Sequence, residues 1–116
     1  MSKLVSVIVP CFNEDKYIAK CIYSLLNNGI DHEQLDIIII DGGSSDKSVS
    51  IINAYIENFS CIRLFHNEKT ITPVSLNIGV KNATAEYFLI ASAHASFENG
   101  YIQECLNAIE KYKADV

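Results

Sequence analysis

The feature that most constrains the fold is a regular alternation of two kinds of segment. Short, almost continuously apolar runs alternate four times with longer segments whose apolar residues recur at helical spacing. Continuous β-branched runs are typical of parallel strands buried on both faces. Strands that alternate with helices form a parallel sheet covered by helices on both sides. The sequence therefore predicts an α/β fold, a three-layer sandwich around a mainly parallel sheet.

The boundaries of these segments follow from their capping and turn residues. Four strands are predicted, at residues 4–9, 35–40, 61–65 and 86–91. Four helices are predicted, at residues 13–26, 44–59, 72–83 and 101–109. Asn13 at the first start and Pro73 in the first turn of the third helix are typical helix-start residues. Residues 114–116 look like the beginning of a fifth strand, which suggests a piece of something longer.

Length and charge limit the classes of protein. The 116 residues suit one domain, residues 1–116, and a net charge of −5 disfavours nucleic-acid binding, which depends on neutralising phosphates. The longest apolar runs, residues 37–40 and 87–91, are far shorter than the roughly 20 residues of a membrane span. The first residues show no secretory signal, so neither a membrane segment nor export is expected.

The four cysteines, Cys11, Cys21, Cys61 and Cys105, show no C-x-x-C spacing. Together with three scattered histidines they do not match the ligand spacing of a structural zinc site. We interpret them as small buried apolar residues in a reducing compartment, which predicts a cytoplasmic protein.

Polar residues gather where three predicted strands end, at residues 10–14, 41–46 and 92–94. The carboxyl ends of parallel strands form the ligand-binding edge of an open α/β sheet. Each cluster also has a purely structural interpretation, as a helix cap, a glycine turn or a loop histidine. Asp41 is harder to explain in that way, because it directly follows four isoleucines. The convergence of the three clusters predicts a binding site.

Two common phosphate-binding motifs do not match. Residues 41–46 lack the G-x-x-x-x-G-K-[ST] spacing of a P-loop, and residues 10–14 lack the G-x-G-x-x-G of a dinucleotide site. The ligand is therefore expected to depend less on contacts with glycine backbone.

In this order and spacing, the motifs resemble the nucleotide-sugar-binding half of family-2 glycosyltransferases with the GT-A fold, over nearly the whole chain. The matching segments are residues 5–14 (VSVIVPCFNE), 37–46 (IIIIDGGSSD), 75–80 (SLNIGV) and 85–87 (AEY). The nearest branch by resemblance is the exopolysaccharide, succinoglycan-type enzymes, which carry D-A-H-A where this chain has Ser92 followed by Ala93, His94 and Ala95.

The resemblance implies roles for individual residues. Phe12 and Pro10 would line a uracil pocket, and Asp41 would accept a hydrogen bond from the uracil N–H. Asn13 and Glu14 would shape the loop beneath the nucleotide, while Asp46 would brace the second helix. The full nucleotide-binding set by resemblance is Pro10, Phe12, Asn13, Glu14, Asp41, Gly42 and Ala93.

The metal site implied by the resemblance is altered. The family's D-x-D motif is replaced here by Ser92, Ala93 and His94, so a carboxylate ligand is missing. Mg²⁺ prefers carboxylate oxygens, whereas Mn²⁺ accepts imidazole more readily. We therefore expect Ser92 and His94 to hold Mn²⁺ or Mg²⁺ weakly or not at all. Leu76 stands where an arginine often contacts phosphate in the family.

By resemblance, the parent reaction transfers a sugar from a UDP-sugar to a hydroxyl, with inversion, in exopolysaccharide or cell-surface glycan synthesis. The general base and the site for a glycan or lipid-linked acceptor would lie beyond residue 116, where a longer parent could associate with a membrane. The isolated chain is thus expected to be inactive. It would self-associate through the face that the acceptor half would cover.

Two other hypotheses remain open on the sequence. Ser92 is compatible with a degenerate relative that binds nucleotide without catalysis. An unrelated doubly wound module, such as a flavodoxin-like regulatory domain, shares the strand and helix pattern. A receiver-type domain would need an acidic pair after the first strand, where this chain has Pro10, Cys11 and Phe12.

Overall fold

The computed structural model describes residues 3–114. The strands are β1 (Val5–Cys11), β2 (Leu35–Asp41), β3 (Ile62–His66) and β4 (Tyr87–Ile90). The helices are α1 (Ile18–Leu26), α2 (Ser48–Asn58), α3 (Thr72–Asn82) and α4 (Tyr101–Ala114). A short 3₁₀ turn, His32–Gln34, leads into β2.

The strands pair in parallel in the order β3-β2-β1-β4. The predicted α/β fold with a parallel sheet is confirmed. The chain builds the sheet in one direction from β1 to β3 and then returns to the other side of β1 with β4. Such a reversal opens a crevice at the carboxyl ends of the two strands that flank it, here β1 and β4.

Helices cover both faces of the sheet. The larger core contains buried residues of α1, α2 and α4 together with alternate residues of β1 and β2. On the opposite face, Ile8, Ile38 and Ile40 are packed against α3. A Cβ added at Gly79 of α3 would clash with Ile8 Cγ2, so glycine is what allows this helix to approach the sheet so closely. The isoleucine run of β2 is buried throughout, as expected for a central parallel strand.

Several predicted boundaries were wrong. Helix α1 begins at Ile18 rather than at Asn13, because Asn13 has a left-handed φ of 51° that no helix accommodates. Helix α2 begins at Ser48, and Ile71, not Thr72, occupies the N-cap position of α3. Helix α4 continues to Ala114, and the rest of the predicted fifth strand lies outside the described residues.

The helices of the described residues are too short or too polar to cross a membrane. On the edge strand β4, Phe88 and Ile90 are 43% and 56% exposed. The self-association expected from the sequence stays a prediction, and these two side chains are the ones that would drive it.

Candidate functional site

The loops that follow β1 and β2 are joined by hydrogen bonds through Asn13. Its side-chain Oδ1 accepts a hydrogen bond of 2.8 Å from the Ser45 N–H, and its own N–H donates to Ser44 Oγ at 2.8 Å. The positive φ of Asn13 turns its side chain toward the second loop. Asn13 therefore links two loops and does not cap α1.

Further hydrogen bonds join these two loops to the start of α2. The Glu14 N–H donates to Ser48 Oγ, and Asp46 Oδ1 accepts from the Ser48 N–H, both at 2.9 Å. Asp46 thus braces the start of α2, the role that the resemblance implies. Burial would raise the pKa of Asp46, but hydrogen bonds from Ser48 and Asp15 outweigh it and lower the pKa below 3.8. The sequence interpretation treated Ser44 or Ser45 as the cap of the second helix and did not single out Ser48, although Ser44 and Ser48 both hold the loops in place.

Asp41 lies at the end of β2, and its carboxylate is engaged by its own loop. Oδ2 accepts hydrogen bonds from the N–H groups of Gly43 and Ser44, at 3.0 and 2.9 Å, and Oδ1 accepts one from Ser44 Oγ. The residue is 2% exposed. The hydrogen bonds that a buried carboxylate needs are thus supplied to Asp41 within residues 41–44. Asp41 does not line the pocket described next, although the sequence placed it at the nucleotide.

A pocket of about 300 Å³ opens at the carboxyl ends of β1 and β4. Its lining includes eight residues from the three predicted polar clusters: Pro10, Cys11, Phe12, Glu14, Gly42, Ser92, Ala93 and His94. The predicted convergence of three strand ends therefore occurs. Phe12 is 49% exposed and forms an aromatic wall, and a Cβ on Gly42 would lie 3.7 Å from its ring.

The loop between β3 and α3 completes the pocket, and the sequence interpretation missed it. Thr70, Thr72 and Ser75 line the pocket. Asn67, which is 2% exposed, holds this loop by donating hydrogen bonds of 2.9 Å to the Ile71 carbonyl and to Ser75 Oγ. Thr70 has a φ of 62°, an unfavourable conformation for a β-branched residue and one that clusters at functional sites. A polar N-E-K-T segment after a strand was the available signal.

A polar group at the mouth of the pocket combines Glu14, Ser92 and His94. His94 Nδ1 lies 3.5 Å from Glu14 Oε2, and Ser92 Oγ is 3.2 Å from both ring nitrogens of His94. Glu14 Oε2 is buried and accepts no hydrogen bond from the described residues. Tyr17 faces the His94 ring edge-on, with 6.4 Å between ring centroids.

Two buried thiols near this group, those of Cys11 and Cys21, are protonated and unreactive at neutral pH. Burial, and then the charge of Glu14, raise the pKa of Cys21 to about 12. Burial, followed by the charge of Asp41, raises the pKa of Cys11 to about 12 as well. Cys21 Sγ donates to the Ser92 carbonyl at 3.5 Å. At neutral pH neither cysteine supplies a thiolate nucleophile or ligand.

The donor atoms for a metal are few. No three His, Cys, Asp or Glu side chains gather into a metal-binding group within residues 3–114. The altered D-x-D segment offers the Ser92 hydroxyl and the His94 ring, and Glu14 Oε2, which accepts no hydrogen bond from the described residues, faces that ring. These atoms fit a cation only as part of a coordination shell that a bound anion completes.

A parallel sheet in this order, with the pocket at its switch point, defines a doubly wound α/β domain, and the solved structures described below identify the fold as the GT-A fold of glycosyltransferases. The chain belongs to glycosyl transferase family 2, whose sequence model matches residues 6–116. This membership confirms the family resemblance, while nothing found places the chain nearer to the succinoglycan-type branch.

Curated relatives agree with this assignment. A dolichyl N-acetyl-alpha-D-glucosaminyl phosphate 3-beta-D-2,3-diacetamido-2,3-dideoxy-beta-D-glucuronosyltransferase of Methanococcus voltae is 34% identical over 113 residues, covering 96% of this chain and 35% of the relative. Glycosyltransferase GlyG of Streptococcus pneumoniae serotype 4 is 30% identical over 117 residues, covering 100% and 38%. The chain thus spans little more than a third of the length of these relatives.

Solved structures share the fold. S. aureus TarS 1-349 in complex with UDP superposes with a TM-score of 0.83 at 22% identity, over 93% of this chain and 32% of that one. The mannosyltransferase PcManGT from Pyrobaculum calidifontis, in complex with GDP-Man and Mn²⁺, superposes with a TM-score of 0.78 at 22% identity, over 86% and 30%. Each matches this chain over about a third of its own length.

Proposed function

We propose that residues 1–116 form the donor-binding half of an inverting glycosyltransferase and bind a UDP-sugar in the pocket between β1 and β4. The observation that carries this proposal is the gathering of Pro10, Phe12, Gly42 and Ala93 around one pocket, in a chain of family 2. The TarS structures with UDP and with UDP-GlcNAc favour a uridine nucleotide as the ligand.

In this proposal Phe12 and Pro10 hold the uracil ring. Stacking of a base on an aromatic side chain contributes about 1–3 kcal/mol, and half of the Phe12 surface is free for it. The uracil contact of Asp41 stays a prediction. Its Oδ1 accepts one hydrogen bond, from Ser44 Oγ, and a carboxylate oxygen has capacity for a second.

The proposed reaction is an attack by an acceptor hydroxyl on the anomeric carbon of the donor, with UDP as the leaving group and inversion at that carbon. A general base outside residues 1–116, implied by the resemblance, would take the hydroxyl proton. A bound divalent cation would supply charge stabilisation for the leaving diphosphate, and the Mn²⁺ in the PcManGT structure supports this. Ser92 and His94 line the same pocket, and in this proposal the diphosphate lies beside them.

Isothermal titration calorimetry of the chain with UDP, CDP and GDP, each with Mn²⁺, tests the proposal. We expect UDP to bind more tightly than CDP and GDP, and Phe12→Ala to weaken UDP about tenfold through loss of stacking. Tyr23→Ala is the matched control, because Tyr23 is 61% exposed on α1 and does not line the pocket. Absence of UDP binding by a folded chain would refute the proposal.

A modified nucleotide tests the proposed hydrogen bond between Asp41 and the uracil ring separately. UDP methylated at uracil N3 cannot donate that hydrogen bond, so it should bind the unaltered chain about tenfold more weakly than UDP. This comparison avoids substituting Asp41, which holds residues 43 and 44 in place. Equal affinities for the two nucleotides would remove Asp41 from the nucleotide site.

The wider setting is also a proposal. The Methanococcus voltae relative is named for a sugar transfer to a dolichyl phosphate sugar, and GlyG is named a glycosyltransferase, which supports a role in exopolysaccharide or cell-surface glycan synthesis. All four cysteines are free thiols, which supports a reducing, cytoplasmic location.

The second candidate function is nucleotide binding without catalysis, and Ser92 in the D-x-D position favours it. Ser92→Asp in a chain extended by its acceptor half discriminates between the two. Unchanged metal affinity and transfer would count against degeneracy, whereas the appearance of transfer only in the variant would support it.

A further inference from the structure

The mouth of the pocket holds a carboxylate that the altered D-x-D segment does not account for. We propose that Glu14 supplies the carboxylate ligand for the cation that accompanies the nucleotide, in place of the carboxylate that position 92 lacks. This inference rests on the proposed binding of a nucleotide diphosphate and adds a ligand from the β1 loop to the site formed by Ser92 and His94.

The main chain of Glu14 is held firmly, so the position of its side chain is defined. Its N–H donates to Ser48 Oγ at 2.9 Å, and its carbonyl accepts hydrogen bonds from the N–H groups of Tyr17 and Ile18 at 3.0 and 2.8 Å. With both main-chain groups engaged, the side chain is presented to the pocket and to His94.

One oxygen of the carboxylate lacks a hydrogen-bond partner within the described residues. Glu14 Oε2 is buried and accepts no hydrogen bond from residues 3–114, and leaving such an oxygen unsatisfied costs free energy. His94 is the one basic side chain within ion-pair distance of it in the described structure. The neighbouring thiols of Cys11 and Cys21 carry no positive charge that could balance the carboxylate. An unsatisfied buried carboxylate oxygen of this kind is a site that attracts a cation.

The charge of the ligand strengthens the argument. The residues that line this pocket include Glu14 but neither lysine nor arginine. A diphosphate placed beside Glu14 would therefore face like charge, with His94 as the sole basic group in the lining. A divalent cation between them removes the repulsion and binds both anions, so the nucleotide and Glu14 would share it.

The spacing suits two ligands of one ion. Glu14 Oε2 and His94 Nδ1 are 3.5 Å apart. Adjacent ligands of an octahedral ion with bonds of about 2.1 Å stand about 3.0 Å apart, so a small rotation of the exposed His94 ring closes the difference. A carboxylate and an imidazole form a donor set that suits Mn²⁺ better than Mg²⁺. Ser92 Oγ, 3.2 Å from the ring, is close enough to orient His94.

The test measures Mn²⁺ directly by electron paramagnetic resonance in the presence of UDP, and UDP affinity by calorimetry with Mn²⁺ and with EDTA. Loss of a group that merely supports a metal ligand costs about 10–100-fold in affinity. We therefore expect Glu14→Gln to weaken Mn²⁺ binding at least about tenfold. UDP affinity in EDTA should not fall, because the substitution removes the negative charge that faces the diphosphate. Adding Ser92→Asp to Glu14→Gln should restore Mn²⁺ binding, because it returns a carboxylate from the neighbouring strand end.

Glu68→Gln is the matched control for the loss of one negative charge, since Glu68 is exposed on the loop that carries Thr70. It should leave Mn²⁺ affinity unchanged. Mn²⁺ binding by Glu14→Gln that equals that of the unaltered chain would overturn the inference. So would a loss of UDP affinity that is as large in EDTA as in Mn²⁺, because it would indicate a structural role.

Failure of the proposed function gives a different result. If the unaltered chain binds UDP equally well with Mn²⁺ and with EDTA, the inference about Glu14 fails while the nucleotide site stands. If the unaltered chain binds no UDP under either condition, both fail.

Discussion

The two edges of the sheet bury polar groups in opposite ways. At the amino ends of the strands, Asp36 is 3% exposed and every partner it needs is present. Arg63 binds its Oδ1 at 3.0 Å, Ser6 Oγ donates to Oδ2 at 2.8 Å, and Thr84 Oγ1 donates to Oδ2 at 2.8 Å. The Arg63 side chain also reaches the Asn82 carbonyl at the end of α3. The network is closed and ties the sheet to α3.

At the carboxyl ends the polar groups are left partly open. Glu14 Oε2 has no hydrogen-bond partner in the described residues, Phe12 is half exposed, and Thr70 holds a left-handed φ. A ligand is the natural means to complete such an edge, whereas the closed edge needs none. Buried polar residues therefore mark a function here only where their hydrogen bonds are unfinished.

Cavity size does not separate the two edges. A hollow of about 390 Å³, larger than the proposed nucleotide pocket, lies near the amino ends of β2 and β3 beside His32, Phe59 and Cys61. His32 Nε2 is already paired with the Leu26 carbonyl at 2.8 Å, and its ring packs edge-on against Phe59. The chemistry of the lining, rather than the volume, points to the carboxyl edge.

Breaking the closed edge should have the largest effect on stability. Asp36→Ala leaves Arg63, Ser6 and Thr84 without their acceptor, and we expect a loss of about 2–3 kcal/mol in the free energy of unfolding. The value lies at the low end for buried pairs because Arg63 is one-third exposed and regains water. Urea unfolding measures it, with the exposed Glu57→Ala on α2 as the control. A loss below about 1 kcal/mol would show that this network contributes little.

Relieving the strain at the open edge should have a smaller effect of opposite sign. Thr70→Gly removes the steric cost of a left-handed β-branched residue, and we expect the protein to gain about 1 kcal/mol in stability. UDP affinity should fall severalfold, because the pocket wall loses its fixed conformation. Urea unfolding and calorimetry of the same samples check both. A variant that is less stable and binds UDP normally would contradict the hypothesis that the strained backbone of Thr70 lowers stability and supports binding.

The smallest expected effect is a loss of folding stability at alkaline pH, caused by the two buried thiols near the carboxyl edge of the sheet. Cys11 and Cys21 have a pKa of about 12 in the folded chain and an ordinary value of 9.0 when unfolded. Between these values the folded state keeps a proton that the unfolded state loses, so stability falls as pH rises above about 9. At pH 9.5 we expect a loss of about 0.8 kcal/mol for each thiol.

Urea unfolding at pH 8.0 and 9.5 measures this loss. The Cys21→Ala variant should show a pH-dependent loss about 0.8 kcal/mol smaller than that of the unaltered chain, because the titrations of lysine and tyrosine are common to both. An identical pH dependence in the two proteins would mean that Cys21 ionises as readily when folded as when unfolded.

The sequence predicted the fold well because its signals are local. The four isoleucines of β2 and the apolar stripe of α1 indicate burial within a few residues of chain, and both were found where expected. The predicted start of α1 was wrong because a contact between distant parts of the chain decides the conformation of Asn13. Asparagine is a favoured N-cap residue, but the side chain of Asn13 accepts hydrogen bonds from the N–H groups of Ser45 and Asp46, which are more than 30 residues away.

The candidate site was predicted in part for the same reason. Strand ends of a parallel sheet must converge, so the gathering of Pro10, Phe12, Gly42 and the 92–94 segment followed from the strand pattern. The engagement of Asp41 by residues 43 and 44, and the pocket wall around Thr70, depend on loop conformations that no periodicity encodes.

The sequence by itself determined the alternation of strands and helices, the family, and the edge of the sheet at which a ligand would bind, since apolar spacing and short motifs are read along the chain. Only the tertiary structure decided which polar groups are satisfied. Asp36 has hydrogen-bond partners 27, 30 and 48 residues away, whereas Glu14 Oε2 accepts no hydrogen bond in the described part of the chain. Hydrogen-bond satisfaction is a property of positions in space, and it separates a structural carboxylate from one available to a ligand.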